Sequence, residues 1–492
     1  MKKIMLSIVL LSSIYLSAQT VIIDEKIEES NYPISFEYLP NTEKFVMYRG
    51  ERIKMTASYL ATNALAYDAN GKRETLFENQ ELYSCSYSIT EKSFMAYNFE
   101  KSIWTPYYKI FVDNKPIEIN PDTRENMNFS FFTIYSDGIS HSKSNLASNN
   151  IDGAFNDLYV LGFSNQKNKG KIDLKKDDIF LEVLELKTGS RKRFPIEKPD
   201  LTLLEGESFA KTNMKVTFRC KLNGNENFDL ITKSISKDFK IVILYKTTYN
   251  FEGKKIKTIP FTLKLNDKFF VTSGNDGGPA VYEQTSVDLD NLSINNYLED
   301  RKNGDLYVYG IFSDEFPKKI GDRIHPNGFY VFKFDKEGNK VWESINKIDG
   351  KDFFEKIRSD AALKVSLAEY NKNLVFQVCV NSFTEFTNAA VVDKSNGAIL
   401  KSSFLEYNNN ASHEKLRTFI SFTYDFVGDL RKKSFSQNSF AAIILNENLF
   451  KYLKSIPEGN TRLHFTTKFT DQGIWLVETD NKNYYKVLLF KD

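Results

Sequence analysis

The chain has 492 residues, a hydrophobic content of 41%, 41 phenylalanines, and 66 Lys and Arg against 64 Asp and Glu. With Lys2 and Lys3 set aside as part of a leader, the charges balance, which leaves no electrostatic ground for binding nucleic acid or an anionic membrane surface. Cys85, Cys220 and Cys379 are too few and too widely spaced for a metal set or a disulfide framework.

Met1-Lys2-Lys3 is a short positive start, followed by an uncharged, mainly apolar run from Ile4 to Leu16 and by the small pair Ser17-Ala18. That is the three-part pattern of a secretory signal peptide, with cleavage expected after Ala18. A run of about 13 residues falls short of the roughly 20 needed to span a bilayer. No cysteine follows it to carry a lipid. The leader and the Lys/Asn/Ile/Phe-rich body resemble exported proteins of the Bacteroidota, a resemblance of style that names no family. The expected organisation is a signal peptide over 1–18 and one domain over 19–492.

Beyond the leader, short aromatic and β-branched runs alternate with Asp/Asn/Gly/Lys turns, which reads as an all-β chain. Asp157-Leu-Tyr-Val-Leu-Gly162 matches Asp305-Leu-Tyr-Val-Tyr-Gly310, and the turn at Gly189 matches that at Gly338 at nearly the same offset. Related turns occur at Gly71, Asn114, Gly253, Gly397 and Asn448. Glycine or asparagine ends each because the backbone there needs positive φ. The mean spacing between these turns is about 63 residues, room for four strands and their loops, the unit of a repeating propeller blade.

The chain ends close the pattern. Leu463–Phe469, Ile474–Val477 and Tyr484–Phe490 read as three strands, and Val21-Ile22-Ile23 as a fourth that completes their sheet. The expectation is a β-propeller of seven or eight four-stranded blades, with eight slightly preferred; tandem β-sandwiches are the alternative. Phe353 to Tyr370 reads equally as a helix, with Phe354, Ile357, Ala361, Val365 and Ala368 on one face, or as a strand pair.

Chemical motifs are sparse. His141, His325, His413 and His464 are not spaced as metal ligands. Gly274-Asn-Asp-Gly-Gly-Pro279 lacks the Lys-Ser/Thr of a phosphate loop and reads as a wide turn. Asp288, Asp290, Glu299 and Asp300 do not complete a calcium loop. Trp104, Tyr107 and Tyr108 offer a sugar-stacking platform but read first as packing residues. Arg191 to Arg193 and Arg431 to Lys433 read as solvated turns. The three cysteines fall in strand-like runs and read as small buried thiols, with one disulfide left open. No catalytic, cofactor-binding or metal-ligating residue is assigned, and no cofactor is expected.

The functional expectation is an exported, non-catalytic binding or scaffold protein that docks a protein partner of the cell envelope on a propeller face. The alternatives are a glycan- or peptide-acting enzyme and a glycan-binding accessory protein, each with its site at the central mouth. The last strand-like run stops two residues before the end, without an appended sorting domain, so periplasmic or outer-membrane-associated residence is expected over an extracellular one.

Overall fold

The structure is a computed structural model. It describes the chain between Gln19 and Lys491 except for 29–30, 53–58, 88–90, 99–106, 113–114, 120–131, 135–139, 143–153, 166–177, 189, 198–218, 224, 236–239, 271–296, 301, 316–326, 349–361, 382–383, 409–416, 419–432, 436, 457–462 and 481; residues 1–18 and 492 also lie outside the description.

Strand β1 (Gln19–Lys26) stands apart from the strands that follow it. Sheet I is the meander β2 (Tyr32–Leu39), β3 (Lys44–Arg52), β4 (Tyr59–Tyr67) and β5 (Arg73–Phe77). Sheet II repeats it with β6 (Tyr83–Tyr87), β7 (Ser93–Asn98), β8 (Tyr107–Val112) and β9 (Lys115–Ile119). A small ribbon, β10 (Phe132–Ile134) and β11 (Ser140–Ser142), precedes sheet III: β12 (Ala154–Phe155), β13 (Tyr159–Asn165), β14 (Ile179–Glu185) and β15 (Arg191–Pro195). Sheet IV holds β16 (Arg219–Asn223), β17 (Asn227–Ile235), β18 (Ile241–Asn250) and β19 (Lys255–Lys264).

In sheet V two short pieces, β20 (Phe269–Phe270) and β21 (Tyr297–Glu299), share the edge of β22 (Leu306–Ser313), followed by β23 (Gly328–Phe334) and β24 (Lys340–Lys347). Sheet VI contains β25 (Ala362–Tyr370), β26 (Asn373–Asn381), β27 (Thr384–Val392), β28 (Ile399–Asn408) and the short β29 (Arg417–Thr418). Then come β30 (Lys433–Phe435), helices α1 (Gln437–Leu445) and α2 (Glu447–Ser455), and β31 (Leu463–Thr470), β32 (Gly473–Thr479) and β33 (Tyr484–Phe490). These last three strands form sheet VII, with β30 on one edge and β1 on the other. Gln19 pairs with Phe490 and Lys26 with Tyr484, so the start and end of the described chain share a ladder.

The described residues are thus mostly β, with two helices and seven sheets of four or five strands. The match between Asp157–Gly162 and Asp305–Gly310 falls on the second strands of sheets III and V. The turns at Gly71, Gly253, Gly338 and Gly397 each join the third strand of a sheet to its fourth, with φ between 77° and 92°. Asn114 and Gly189 lie in the same connection of sheets II and III, outside the described residues.

Two expectations change. Ile443 to Tyr452 is not a hairpin but the end of α1 and most of α2, which removes one of the seven turns and with it the preference for eight sheets. Asn446 does not form a turn there: its side chain accepts the Leu449 N–H at 2.8 Å and caps α2. Leu449 and Leu453, one turn apart, are fully buried. The helical option at Phe353–Tyr370 fails for Val365 and Ala368, which lie on β25; 353–361 is outside the described residues.

Each sheet packs on the next. Phe45 of sheet I stacks on Trp475 of sheet VII at 5.0 Å, and Phe77 of sheet I on Phe94 of sheet II at 5.4 Å. The Ser93 hydroxyl of sheet II donates to Asp157, in the first turn of sheet III, at 2.7 Å. Tyr159 of sheet III meets Phe251, in the last turn of sheet IV, at 4.8 Å. Phe261 and Phe334 join sheets IV and V, and Phe329 and Phe376 join V and VI at 4.3 Å. Tyr370 meets Phe469 across sheets VI and VII, beside α1. Strands covered on both faces need apolar residues at every position, and β22 and β32 are buried from end to end.

Candidate functional site

In an antiparallel meander the first and third connections lie at one end of the sheet, and the second lies at the other. Among the described residues, the first turns of sheets VII, I, II, III and IV are linked in that order by hydrogen bonds into a partial collar. Gln472 of sheet VII donates to Glu43 of sheet I at 3.2 Å. Asn41 and Thr42 of sheet I donate their backbone N–H groups to Glu91 of sheet II at 2.7 and 2.8 Å, and the Thr42 hydroxyl adds a third bond. Asp157 of sheet III accepts from Ser93 of sheet II and, at 3.3 Å, from Asn225 of sheet IV. Glu43 and Glu91 adopt positive φ, 54° and 60°, unusual for residues with a side chain. The bonds made by their carboxylates hold them there.

Below this collar, Glu37 of β2 reaches out from the face of sheet I that packs on sheet II. Tyr48 donates its hydroxyl to Glu37 Oε1, and the Tyr87 backbone N–H, on β6, also donates to the carboxylate. Burial pushes the Glu37 pKa up to about 7. The two hydrogen bonds and the Lys468 ammonium pull it down, while the Glu91 carboxylate pushes it further up. A carboxyl that is half ionised near neutral pH can give or take a proton, which is the property of a general acid or base. The sequence signal for it is faint: an acid within Ile34-Ser-Phe-Glu-Tyr-Leu39, on the face it shares with Ser35 and Leu39 and opposite the apolar face of Ile34, Phe36 and Tyr38.

Other seams carry ion pairs. Arg49 of sheet I bonds Glu25 of β1 at 2.7 Å, and the Tyr485 hydroxyl donates to the same Glu25 oxygen at 2.6 Å. Lys246 of sheet IV lies 3.3 Å from the fully buried Asp229 and 3.4 Å from Glu299 of sheet V. Lys394 of sheet VI bonds Asp300 of sheet V at 2.9 Å and also Glu369. Burial works against the Lys246 and Lys394 charges, yet these carboxylates outweigh it and raise both pKa values. Glu299 and Asp300, weighed above as calcium ligands, therefore hold lysines; Asp288 and Asp290 are outside the described residues. No group of three or more His, Cys, Asp or Glu side chains suited to a metal occurs among the described residues.

The remaining sequence candidates are dispersed. Cys85, Cys220 and Cys379 lie on β6, β16 and β26, strands of three different sheets, as the strand-like runs implied. His141 is on β11 and His464 on β31; His325, His413, Trp104 and Gly274–Pro279 lie outside the described residues. Tyr107 and Tyr108 are on β8. Arg191 to Arg193 form strand β15 rather than a turn, with the Arg193 guanidinium 4.0 Å over the Phe180 ring. Of the second basic run, only Lys433 is described, on β30. No helix among the described residues is long and apolar enough to cross a membrane.

No family model matches the chain. No curated protein matches it either. Among solved structures, it is similar to the WD40 domain of SCAP from fission yeast (8% identity, 96% of this chain and 98% of that one, TM-score 0.27). It is also similar to the β-propeller domain of the Trilobed protease from Pyrococcus furiosus (8%, 81% and 98%, TM-score 0.29). A third is a member of the duf4221 family from Bacteroides vulgatus (10%, 96% and 98%, TM-score 0.28). TM-scores this low assign no family.

Proposed function

We propose that residues 19–492 form one seven-bladed β-propeller, exported after cleavage at Ala18, that serves as a non-catalytic binding or scaffold protein in the periplasm or at the outer membrane. The cycle of sheet contacts from I to VII and back to I supports the ring, and β1 completes the last blade. A protein partner of the cell envelope docks on one face.

The observation that carries this reading is the unequal length of the connections at the two ends of the sheets. The first and third connections are two to six residues long throughout. The connections at the opposite end include 166–178, 196–218 and 314–327. Loops on a rigid scaffold are where proteins place recognition, so the partner is assigned to that second face. Affinity capture of the tagged protein from cross-linked envelopes tests it. One envelope component should be recovered in fixed ratio, and lost when 198–218 is replaced by a short Gly/Ser linker in a variant that still folds. Recovery of nothing, with the protein free in the periplasmic fraction, would contradict it.

Glu37 favours a second reading, a glycan- or peptide-acting enzyme or a glycan-binding accessory protein with its site at the collar mouth. Turnover or binding in a glycan and peptide panel, with an inflection near pH 7 that vanishes in Glu37→Gln, would support it. A silent panel would count against it.

A further inference from the structure

Five asparagines in the chain are followed by glycine: Asn70, Asn223, Asn303, Asn327 and Asn396. A glycine in the next position has no Cβ to crowd its own backbone nitrogen, so that nitrogen can reach the asparagine side-chain amide carbon. As Asn-Gly pairs the five sites are equivalent.

Their side chains are not. Asn303 Oδ1 accepts the Asp305 N–H at 2.9 Å, and Asn303 Nδ2 donates to the Asp305 carboxylate at 3.0 Å. Asn327 Oδ1 accepts the Asp314 N–H at 3.0 Å, and Asn327 Nδ2 donates to the Asp314 carboxylate at 2.8 Å. Asn396 Oδ1 accepts the Ala398 N–H at 2.8 Å, and Asn223 Nδ2 donates to Asn227 Oδ1 at 3.0 Å. Asn70 is exposed, and its side-chain amide bonds to none of the described residues. The Asp68 carboxylate shapes that turn by accepting the backbone N–H groups of Asn70 and Lys72. The glycine backbones do not separate the hairpin sites: the N–H groups of Gly71, Gly304 and Gly397 donate to carbonyls of Asp68, Asp300 and Asp393 at 3.0, 2.8 and 2.8 Å.

We propose that Asn70 is a self-modifying site, the asparagine at which the folded chain loses ammonia first. The Gly71 nitrogen bonds to Asn70 Cγ, the Cγ–Nδ2 bond breaks, and ammonia leaves with the proton from the Gly71 nitrogen. Water then opens the cyclic imide at either carbonyl and leaves aspartate or isoaspartate. At the other sites the bond that pins the side chain must break before its amide carbon can swing onto the glycine nitrogen. Each such bond slows the step by about two- to tenfold. The product sets a new carboxylate beside Asp68, and isoaspartate also lengthens the backbone of the turn. That turn lies against β1: a Cβ on Gly71 would sit 3.6 Å from the Ile22 carbonyl oxygen. This inference does not depend on a partner or a substrate.

Peptide mass mapping of the full mature chain, incubated in mildly alkaline buffer with and without urea, tests it. The unfolded chain supplies the rate that each local sequence sets by itself. Relative to that rate, folding should slow Asn303, Asn327 and Asn396 by about tenfold more than Asn70. Asn70→Ser should remove the leading modification from the folded chain. An Asn70 that stays intact in the folded chain while its unfolded counterpart converts would overturn the proposal. So would folding that slows Asn70 as much as Asn303 and Asn396.

Discussion

Asp335 and Gly338 show what one hairpin demands of single residues. The Asp335 carboxylate accepts the N–H groups of Glu337 and Asn339 at 3.0 and 2.8 Å, and Gly338 turns the chain at φ +92°. These bonds, with the Asn339 side chain first among them, hold the Asp335 carboxyl below its usual range. Asn250 makes the equivalent bonds to Glu252 and Lys254 at 3.0 Å, so an uncharged amide oxygen does the same work. Asp335→Asn should therefore melt with the unaltered protein, whereas Asp335→Ala should melt lower; equal melting of all three would refute the role. A Cβ on Gly338 would lie 2.7 Å from the Pro260 carbonyl oxygen of sheet IV, so Gly338→Ala should cost about 1–3 kcal/mol in urea unfolding.

Glu37 is the residue whose pH behaviour has the clearest sign. Its folded pKa, raised to about 7, exceeds the ordinary glutamate value of 4.5. The stability it contributes is thus complete below the unfolded value and lost as pH rises through the folded one. Urea unfolding should show Glu37→Gln gaining on the unaltered protein between pH 5 and pH 8, by at most about 3 kcal/mol. A difference that stays constant with pH would contradict the burial argument. This acid was hard to single out in the sequence because strand alternation says which face a residue takes, not whether a tyrosine on the next strand reaches it.

At the scale of elements, the hairpin that joins third and fourth strands is the best-read unit. Asp/Asn-to-Gly spacing identified it in sheets I, IV, V and VI because positive φ leaves a mark in residue choice. One further regularity left a fainter mark. Ile256, Val341 and Leu400 each follow a turn glycine by three residues, occupy the register shift of the fourth strand, and are more than half exposed. The helical pair was misread because Asn446-Glu447-Asn448 suits a turn as well as an N-cap, and only burial of Leu449 and Leu453 decides between them. Asn446 also donates to the Tyr370 hydroxyl at 3.2 Å while itself buried. Asn446→Ala should cost about 1–2 kcal/mol, through the lost cap and the tyrosine partner left behind. No measurable change in urea unfolding would mean the cap carries no load.

At the scale of the whole molecule, the pairing of β1 with β33 was legible because Val21-Ile22-Ile23 and the last three strand runs are each strongly apolar. The order in which sheets meet was legible only as an expectation of stacking, since seam partners such as Phe45 and Trp475 are more than 400 residues apart in the chain. The collar was not legible at all: its bonds join turn residues whose types are common in any loop.

Ring closure is the central claim, and small-angle X-ray scattering of the mature chain tests it most directly. About 474 residues closed into one compact ring should give a radius of gyration of about 23 Å. A value above roughly 30 Å, in a sample shown to be monomeric, would mean an open row of sheets and would contradict the account.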